Sequence, residues 1–248
     1  PLTKDLSEAL KISELYKNDE VTLNFVERYS PIIDDYTRWR DENGLQPIKA
    51  NFFWGKYRIH DPRKTMGVLS EISHPIDLAL HLMSVRPSEE ISLQQVSGYK
   101  SDFSPHSPDL IDSVSICLKI RNQLWITGHS SFVWEKRRRS VTVFLKDRQG
   151  ACKYMAVFNF DDPVWDLDNL KIYDILKVPG RMELVKEFNY GKGDCIQEIF
   201  KVNKIYKFIL ENIANIYEDK KTCNLAYLDQ AIYVQSILDL IEREVSGG

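Results

Sequence analysis

The feature that most constrains the fold is a series of strand-like segments joined by very short connections. Apolar and polar residues alternate along many of these segments, which is typical of strands with one face turned to a core. The links 121–123 and 147–150 suit hairpin turns, so the strands that they join must run antiparallel. Strands are predicted at residues 49–59, 93–99, 113–120, 124–134, 140–146, 152–158 and 183–188.

Helices are predicted on both sides of this series of strands. Apolar residues recur at helical spacing in residues 5–17, 32–42, 68–84, 196–217 and 226–244. The expected architecture is therefore α+β, with an open, predominantly antiparallel β-sheet and helices on one face. A short apolar run at 21–26 predicts a further strand, whereas 159–179 lacks a regular pattern.

Composition narrows the classes of function. The 248 residues include 33 basic and 36 acidic side chains, and this balance gives no general attraction to nucleic acid or to an anionic membrane. No apolar run approaches the roughly 20 residues of a membrane span. The four cysteines lack CxxC spacing, so we expect no metal site, no disulfide framework and a cytoplasmic location.

One basic run stands out in this balanced composition. Residues 136–139 read KRRR and lie between two predicted strands. A solvated hairpin tip is the favoured interpretation of such a run, and a phosphate or polyanion site is the alternative.

The predicted helix in the middle of the chain carries three ionisable residues on one stripe. Residues 65–83 read TMGVLSEISHPIDLALHLM, in which Glu71, His74 and Asp77 follow one another at three-residue intervals. This spacing makes them neighbours on one side of a helix. Histidine titrates near neutral pH, and adjacent carboxylates orient and tune it. The stripe predicts either an acid–base site or a packed, hydrogen-bonded histidine.

This segment resembles the helix motif of the glucose–fructose oxidoreductase and inositol dehydrogenase (Gfo/Idh/MocA) family. In that family a glycine-rich turn precedes an acidic residue, a histidine and, three positions later, an aspartate. The matching residues here are Gly67, Glu71, His74 and Asp77. The match is incomplete, because Met66 stands where a second glycine is common. Aspartate is also commoner at the acidic position, and the interval from the acid to the histidine is one residue shorter here.

Three further segments resemble the family in the same order along the chain. The opening PLTKDLSEALKISELYKN resembles the segment that follows a Glu-Lys-Pro motif, with Pro1 as its proline. The next, VTLNFVERYSPIIDDYTRW, resembles a strand and an Arg-aromatic-x-Pro turn. Residues 202–243 resemble the closing helices. The resemblance thus covers most of the chain.

The resemblance implies a two-part organisation. Residues 1–27 are expected to be a remnant of an N-terminal Rossmann-type dinucleotide-binding domain, and residues 28–248 a substrate-binding and oligomerisation domain. The implied activity is that of an NAD(P)-dependent oxidoreductase acting on CH–OH groups of a sugar, sugar derivative or cyclitol. No GxGxxG turn occurs in the sequence, and the family's catalytic lysine falls just before Pro1. We therefore expect NAD or NADP in a longer protein, and no cofactor and no activity in this chain alone.

The resemblance also assigns roles to the motif residues. His74 is the expected acid–base residue facing the carbon that gives up hydride. Asp77, the second catalytic candidate, either orients His74 or contacts a substrate hydroxyl. Glu71 is expected to bind a substrate hydroxyl.

Further site residues are expected near the motif helix and at the domain join. Tyr57, Arg63 and Lys64 precede the helix and are candidates for substrate binding, with a solvated loop as the alternative. Arg28 and Tyr29 either contact the cofactor or lock two domains together.

The expected partners are a small sugar-like molecule and further copies of the chain. Large apolar residues fall on both faces of the predicted strands, and a sheet apolar on both faces is usually buried on both. We therefore predict a homodimer or a dimer of dimers through the open sheet face. The alternative function is a non-catalytic carbohydrate-binding or scaffold protein with the same fold.

Overall fold

An open sheet of eight strands forms the centre of the structure. The computed structural model describes residues 1–59, 67–101, 110–121, 123–162, 165, 167–178, 180–191, 203–218, 222 and 224–246. The strands are β1 (Thr22–Leu23), β2 (Gln46–Tyr57), β3 (Ile91–Tyr99), β4 (Ser113–Ile120), β5 (Leu124–Ser131), β6 (Val133–Lys146), β7 (Cys152–Asn159), β8 (Asp168–Val178), β9 (Arg181–Tyr190) and β10 (Ala226–Tyr227).

The order of the strands in the large sheet is β3-β4-β5-β2-β6-β7-β8-β9. Every neighbouring pair is antiparallel except β2 and β5, which run parallel. The hairpins predicted at 121–123 and 147–150 are confirmed, since they join β4 to β5 and β6 to β7. The short strands β1 and β10 form a separate antiparallel pair.

Helices cover one face of this sheet. Helix α3 (Val68–Leu82) packs on the central strands, α2 (Pro31–Glu42) on β8 and β9, and α5 (Leu228–Ser246) on β3. The strand residues beneath them are apolar and buried, as Ala50, Phe52 and Trp54 show for β2. The predicted α+β architecture, with an open and largely antiparallel sheet, is confirmed. The helices are α1 (Leu6–Leu15), α2 (Pro31–Glu42), α3 (Val68–Leu82), α4 (Lys204–Glu218) and α5 (Leu228–Ser246), with 3₁₀ turns at Asn18–Glu20 and Val26–Tyr29.

The prediction that 136–139 form a solvated hairpin tip was wrong. The chain reverses at Phe132, and β6 then runs from Val133 to Lys146 along β2. The pairing is irregular where residues 134–137 lie between the paired residues Val133 and Arg138. The basic run therefore lies inside a central strand, where Arg139 pairs in register with Trp54. Four consecutive polar residues lack the apolar alternation that reveals a strand, and buried carboxylates compensate the charges of Arg137 and Arg139.

The bounds of other elements also differ from the predicted ones. The strand expected at 21–26 is reduced to the two residues of β1, because the chain turns into the 3₁₀ segment Val26–Tyr29. Strand β8 lies in the region 159–179, where no strand was predicted. The fourth helix is described from Lys204, and the earlier part of its predicted range lies outside the described residues.

The first residues of the chain are joined to its last elements. Helix α1 packs against α5, and β1 pairs with β10. The division into a remnant at 1–27 and a domain at 28–248 stays a prediction.

Helix α3 begins at a glycine with an unusual backbone. Gly67 has φ of +78° and ψ of −172°, a region that is essentially restricted to glycine. A Cβ atom at this position would lie 2.7 Å from the carbonyl oxygen of Ile111. The N–H of Val68 donates to that same oxygen at 2.9 Å, so the contact fixes the start of the helix.

Replacing Gly67 by alanine should lower the free energy of unfolding by about 1–3 kcal/mol from backbone strain, with the collision at Ile111 adding to it. Gly150→Ala is the matched control, because Gly150 also has a positive φ but has open space around its Cβ position. Urea denaturation of both variants should show the larger loss for Gly67→Ala. Equal losses of unfolding free energy in the two variants would contradict the close approach of the Gly67 backbone to Ile111.

Candidate functional site

The three motif residues of α3 belong to one cluster of charged groups. Glu71 and Asp77 are buried, whereas 30% of the His74 side chain is exposed. His74 is therefore the member of the stripe that can meet a molecule from solvent.

The carboxylate that faces His74 comes from outside the motif. Oε2 of Glu27, in the 3₁₀ turn before α2, lies 3.4 Å from Nδ1 of His74, an ion-pair separation. Burial alone raises the pKa of Glu27, but the adjacent imidazole, together with Arg139 and Lys204, outweighs it and holds this pKa well below its ordinary range. Glu27 is thus ionised beside the imidazole. No spacing in the sequence connects it to His74.

Glu71 accepts hydrogen bonds from the sheet. Trp54 Nε1 donates to its Oε1 at 2.9 Å, and Lys56 Nζ donates to its Oε2 at 2.6 Å. Burial raises the pKa of Glu71, but the charges of Lys56, His74 and Arg139 prevail, and the pKa is lowered. Because both oxygens already have protein partners, the geometry supports a role for Glu71 in positioning Lys56 more directly than contact with a substrate hydroxyl.

Asp77 is paired with Arg28 rather than with His74. The guanidinium donates from Nε to Oδ2 at 2.7 Å and from Nη2 to Oδ1 at 2.5 Å. Burial raises the pKa of Asp77 and outweighs the opposing effect of Arg28. Arg28 also donates to Gln230 of α5 at 3.0 Å, so it links α3 to α5.

Tyr29 is also buried, with its ring 5.3 Å from that of Phe208 in α4. The burial of both Arg28 and Tyr29 supports the alternative in which they hold elements together. Their contact with a cofactor stays a prediction.

Arg139 lies at the centre of the cluster and was not predicted as a site residue. Its Nη1 donates to Glu27 at 2.9 Å and to Asp161 at 2.8 Å, and its Nη2 donates to Glu71 at 3.3 Å. Its guanidinium lies 5.0 Å from the ring centroid of Trp54, and only 6% of the side chain is exposed. A single arginine therefore connects the carboxylate beside His74 to the carboxylate of the motif.

A buried lysine supports the cluster from the side of α4. Lys204 Nζ donates to Asp161 at 2.9 Å and lies 3.2 Å from Asp168. Burial lowers the pKa of Lys204, but the two aspartates and Glu27 outweigh this effect and raise it. Lys204 thus stays charged and fixes the loop that carries Asp161.

An open cleft of about 420 Å³ adjoins the cluster. Tyr57, a predicted substrate-binding residue, is 61% exposed and lines it. The other two candidates before the helix, Arg63 and Lys64, lie outside the described residues. The described residues that line the cleft are Lys56, Tyr57, Arg58, Arg137, Arg139 and Trp165.

In the part of the chain that the structure describes, no group of three or more histidine, cysteine, aspartate or glutamate side chains is arranged to hold a metal ion. Cys117 and Cys152 are free thiols. Among the described helices, none combines the length and apolar character needed to cross a bilayer.

Comparison with protein-family models and with curated proteins gives no match. Solved structures do match. UDP-N-acetylglucosamine 3-dehydrogenase GnnA from Acidithiobacillus ferrooxidans aligns with a TM-score of 0.71 and 16% identity, over 100% of this chain and 69% of its own. A levoglucosan dehydrogenase in complex with NADH aligns with a TM-score of 0.71 and 16% identity, over 100% of this chain and 70% of its own.

A 3-ketoreductase, KijD10 from Actinomadura kijaniata, in complex with NADP and TDP-benzene, gives a TM-score of 0.68 and 11% identity, over 99% of this chain and 69% of its own. These structures are dehydrogenases and a ketoreductase, and two of them, the levoglucosan dehydrogenase and KijD10, hold NADH and NADP. The chain therefore has the fold of such oxidoreductases, and the resemblance drawn from the motifs is confirmed at the level of the fold.

Proposed function

We propose that this chain is the substrate-binding and oligomerisation part of an NAD(P)-dependent oxidoreductase that acts on a CH–OH group of a sugar, sugar derivative or cyclitol. The observation that carries the proposal is the half-buried His74 beside an ionised Glu27, on a fold shared with sugar dehydrogenases. Structural neighbours that bind NADH and NADP support the choice of cofactor.

His74 is placed to move the hydroxyl proton. Oxidation of an alcohol to a carbonyl removes a proton from oxygen and a hydride from carbon, and nicotinamide supplies the hydride acceptor when bound. With the Nδ1 proton turned toward Glu27, the lone pair of Nε2 accepts the hydroxyl proton. The carboxylate of Glu27 then stabilises the imidazolium, and in the reverse direction His74 returns the proton to the carbonyl oxygen.

We assign the residues of this chain to the part of such a site where the hydroxyl group reacts, and not to the part that binds the phosphates of a dinucleotide. The sequence contains no GxGxxG turn, so we assign the phosphates to another part of the protein. The nitrogen of Pro1 lies close enough to the carboxylates of Glu71 and Asp77 to interact with them electrostatically. A lysine joined to Pro1, as in the resembled family, would enter the same cluster and share the proton transfer.

The natural protein that carries this chain offers the direct test. It is incubated with NAD⁺ or NADP⁺ and a panel of sugars, sugar acids, nucleotide sugars and inositols, and reduced nicotinamide is followed by absorbance. Turnover with at least one compound is expected. Binding of a panel compound without any nicotinamide reduction would contradict the proposal and support the non-catalytic carbohydrate-binding alternative.

We also propose that the open sheet face joins copies of the chain. Phe53, Trp125 and Trp134 are only partly buried there, and the rings of Phe53 and Trp134 lie 4.6 Å apart. Aromatic residues are enriched in protein interfaces. Light scattering at micromolar concentration should give the mass of a dimer or a tetramer, and a monomeric mass would contradict this assignment.

A further inference from the structure

Within the described part of the chain, the charged residues that line the cleft beside the cluster are all cationic. Among its described lining residues, four are cationic and two are aromatic, and none is acidic. Strand geometry explains this, because alternate residues of β6 face opposite sides of the sheet. Arg137 and Arg139 line the cleft, whereas Arg138 between them lies over Phe53 on the open face.

The carboxylates that accompany these cations lie behind the wall. Lys56 contacts the buried Glu71 at 2.6 Å, and Arg137 Nη2 lies 3.1 Å from the buried Asp161. The side chains of Lys56 and Arg137 are themselves 18% and 33% exposed. The cations are therefore held from the protein side while part of each stays open to a ligand.

Two arginine donors on this wall lack a partner. Among the described residues, Nε of Arg137 and Nε of Arg139 are buried without a hydrogen-bond acceptor. Buried donors are nearly always satisfied by protein or water, so these two guanidinium groups retain hydrogen-bonding capacity that the described protein atoms do not use. Guanidinium groups bind carboxylates and phosphates with short, charge-assisted hydrogen bonds.

An aromatic residue orders the more exposed arginine. The Arg137 guanidinium lies 4.2 Å from the ring centroid of Trp165, a stacking arrangement that limits its rotation. The indole itself is 42% exposed. An ordered guanidinium loses less side-chain entropy when it forms hydrogen bonds to a ligand.

We propose that this cleft binds an anionic group of the substrate, a phosphate or a carboxylate, and that the substrate is therefore an acidic sugar derivative. This inference rests on the proposed function. Arg139 connects the cleft to Glu27, which faces His74. An anion held at Arg137 and Lys56 would thus anchor the sugar next to the acid–base residue, where fixed orientation lowers the barrier to reaction.

Calorimetric titration of the chain with glucose 6-phosphate, glucuronate and glucose tests the inference. At least one of the two acidic sugars should bind at least tenfold more tightly than glucose, and its affinity should fall as salt is raised. The acidic sugar that binds more tightly identifies the preferred anion. Equal affinity for glucose, or no binding of either acidic sugar, would overturn the inference.

Two variants distinguish a specific anion-binding site from general electrostatic attraction by the protein. Arg137→Gln should weaken binding of the acidic sugar at least tenfold. Arg138→Gln removes the same charge from the next residue, on the opposite face, and should change affinity less than twofold. Equal losses in both variants would overturn the inference.

A third variant covers the possibility that Arg137→Gln does not fold. Arg137→Lys keeps the positive charge but removes the planar pair of donors, so binding should still weaken at least threefold. Unchanged affinity in this variant would overturn the inference. Circular dichroism confirms which variants are folded.

The result is separable from the test of the proposed function, because the titration requires neither cofactor nor turnover. Turnover of neutral sugars without binding of acidic ones would overturn this inference alone. Binding of an acidic sugar without nicotinamide reduction would overturn the proposed function alone.

Discussion

Replacing Arg139 by methionine should lower the free energy of unfolding by about 3–5 kcal/mol. Arg139 is in contact with the carboxylates of Glu27, Asp161 and Glu71, all of them buried. Without the guanidinium these carboxylates repel one another in a poorly solvated interior. Methionine retains most of the side-chain volume, so the loss of stability comes from the missing charge and not from a cavity.

Urea denaturation followed by circular dichroism measures this loss. Arg148→Met is the control, because Arg148 is an exposed residue of the hairpin turn between β6 and β7. Exposed substitutions of this kind change stability by less than about 0.5 kcal/mol. A loss below about 1 kcal/mol for Arg139→Met would contradict the central role of this arginine.

Replacing His74 by asparagine in the natural protein should lower turnover by about 10²–10⁴-fold. Asparagine can still form hydrogen bonds, but it cannot accept the hydroxyl proton. Because 30% of the His74 side chain is exposed, against 6% for Arg139, a smaller loss of stability is expected than for Arg139→Met.

Steady-state kinetics with the panel compound that the natural protein turns over provide the measurement. A fall in kcat with a nearly unchanged KM is expected, because the imidazole acts on the reacting oxygen more than on binding. Full turnover in a folded Asn variant would contradict the role of His74.

The sequence predicted the sheet wherever apolar residues alternate. Strands β4 and β7 were found within one residue of their ends, and their hairpins followed from short polar links. Only residues 140–146 of strand β6 were predicted as a separate strand, and Val133 and Trp134 were joined to β5, because the basic run carries no apolar alternation. Its burial depends on carboxylates far away in sequence, such as Glu27, which is 112 residues from Arg139.

Spacing along one helix identified part of the candidate site. It placed Glu71, His74 and Asp77 side by side, and the structure brings all three into one cluster. It could not predict which carboxylate faces the imidazole, because Glu27 reaches His74 only through the packing of the 3₁₀ turn against α3. The pairing of Asp77 with Arg28 likewise depends on tertiary contact.

The transfer of hydrogen from sugar carbon to nicotinamide tests the central claim most directly. The natural protein is given NAD⁺ or NADP⁺ and the compound that supports turnover, with deuterium in place of hydrogen on each hydroxyl-bearing carbon. Mass spectrometry of the reduced nicotinamide should show one added deuterium. Reduced nicotinamide without deuterium, or no reduction at all, would contradict the assignment of this chain to a sugar oxidoreductase.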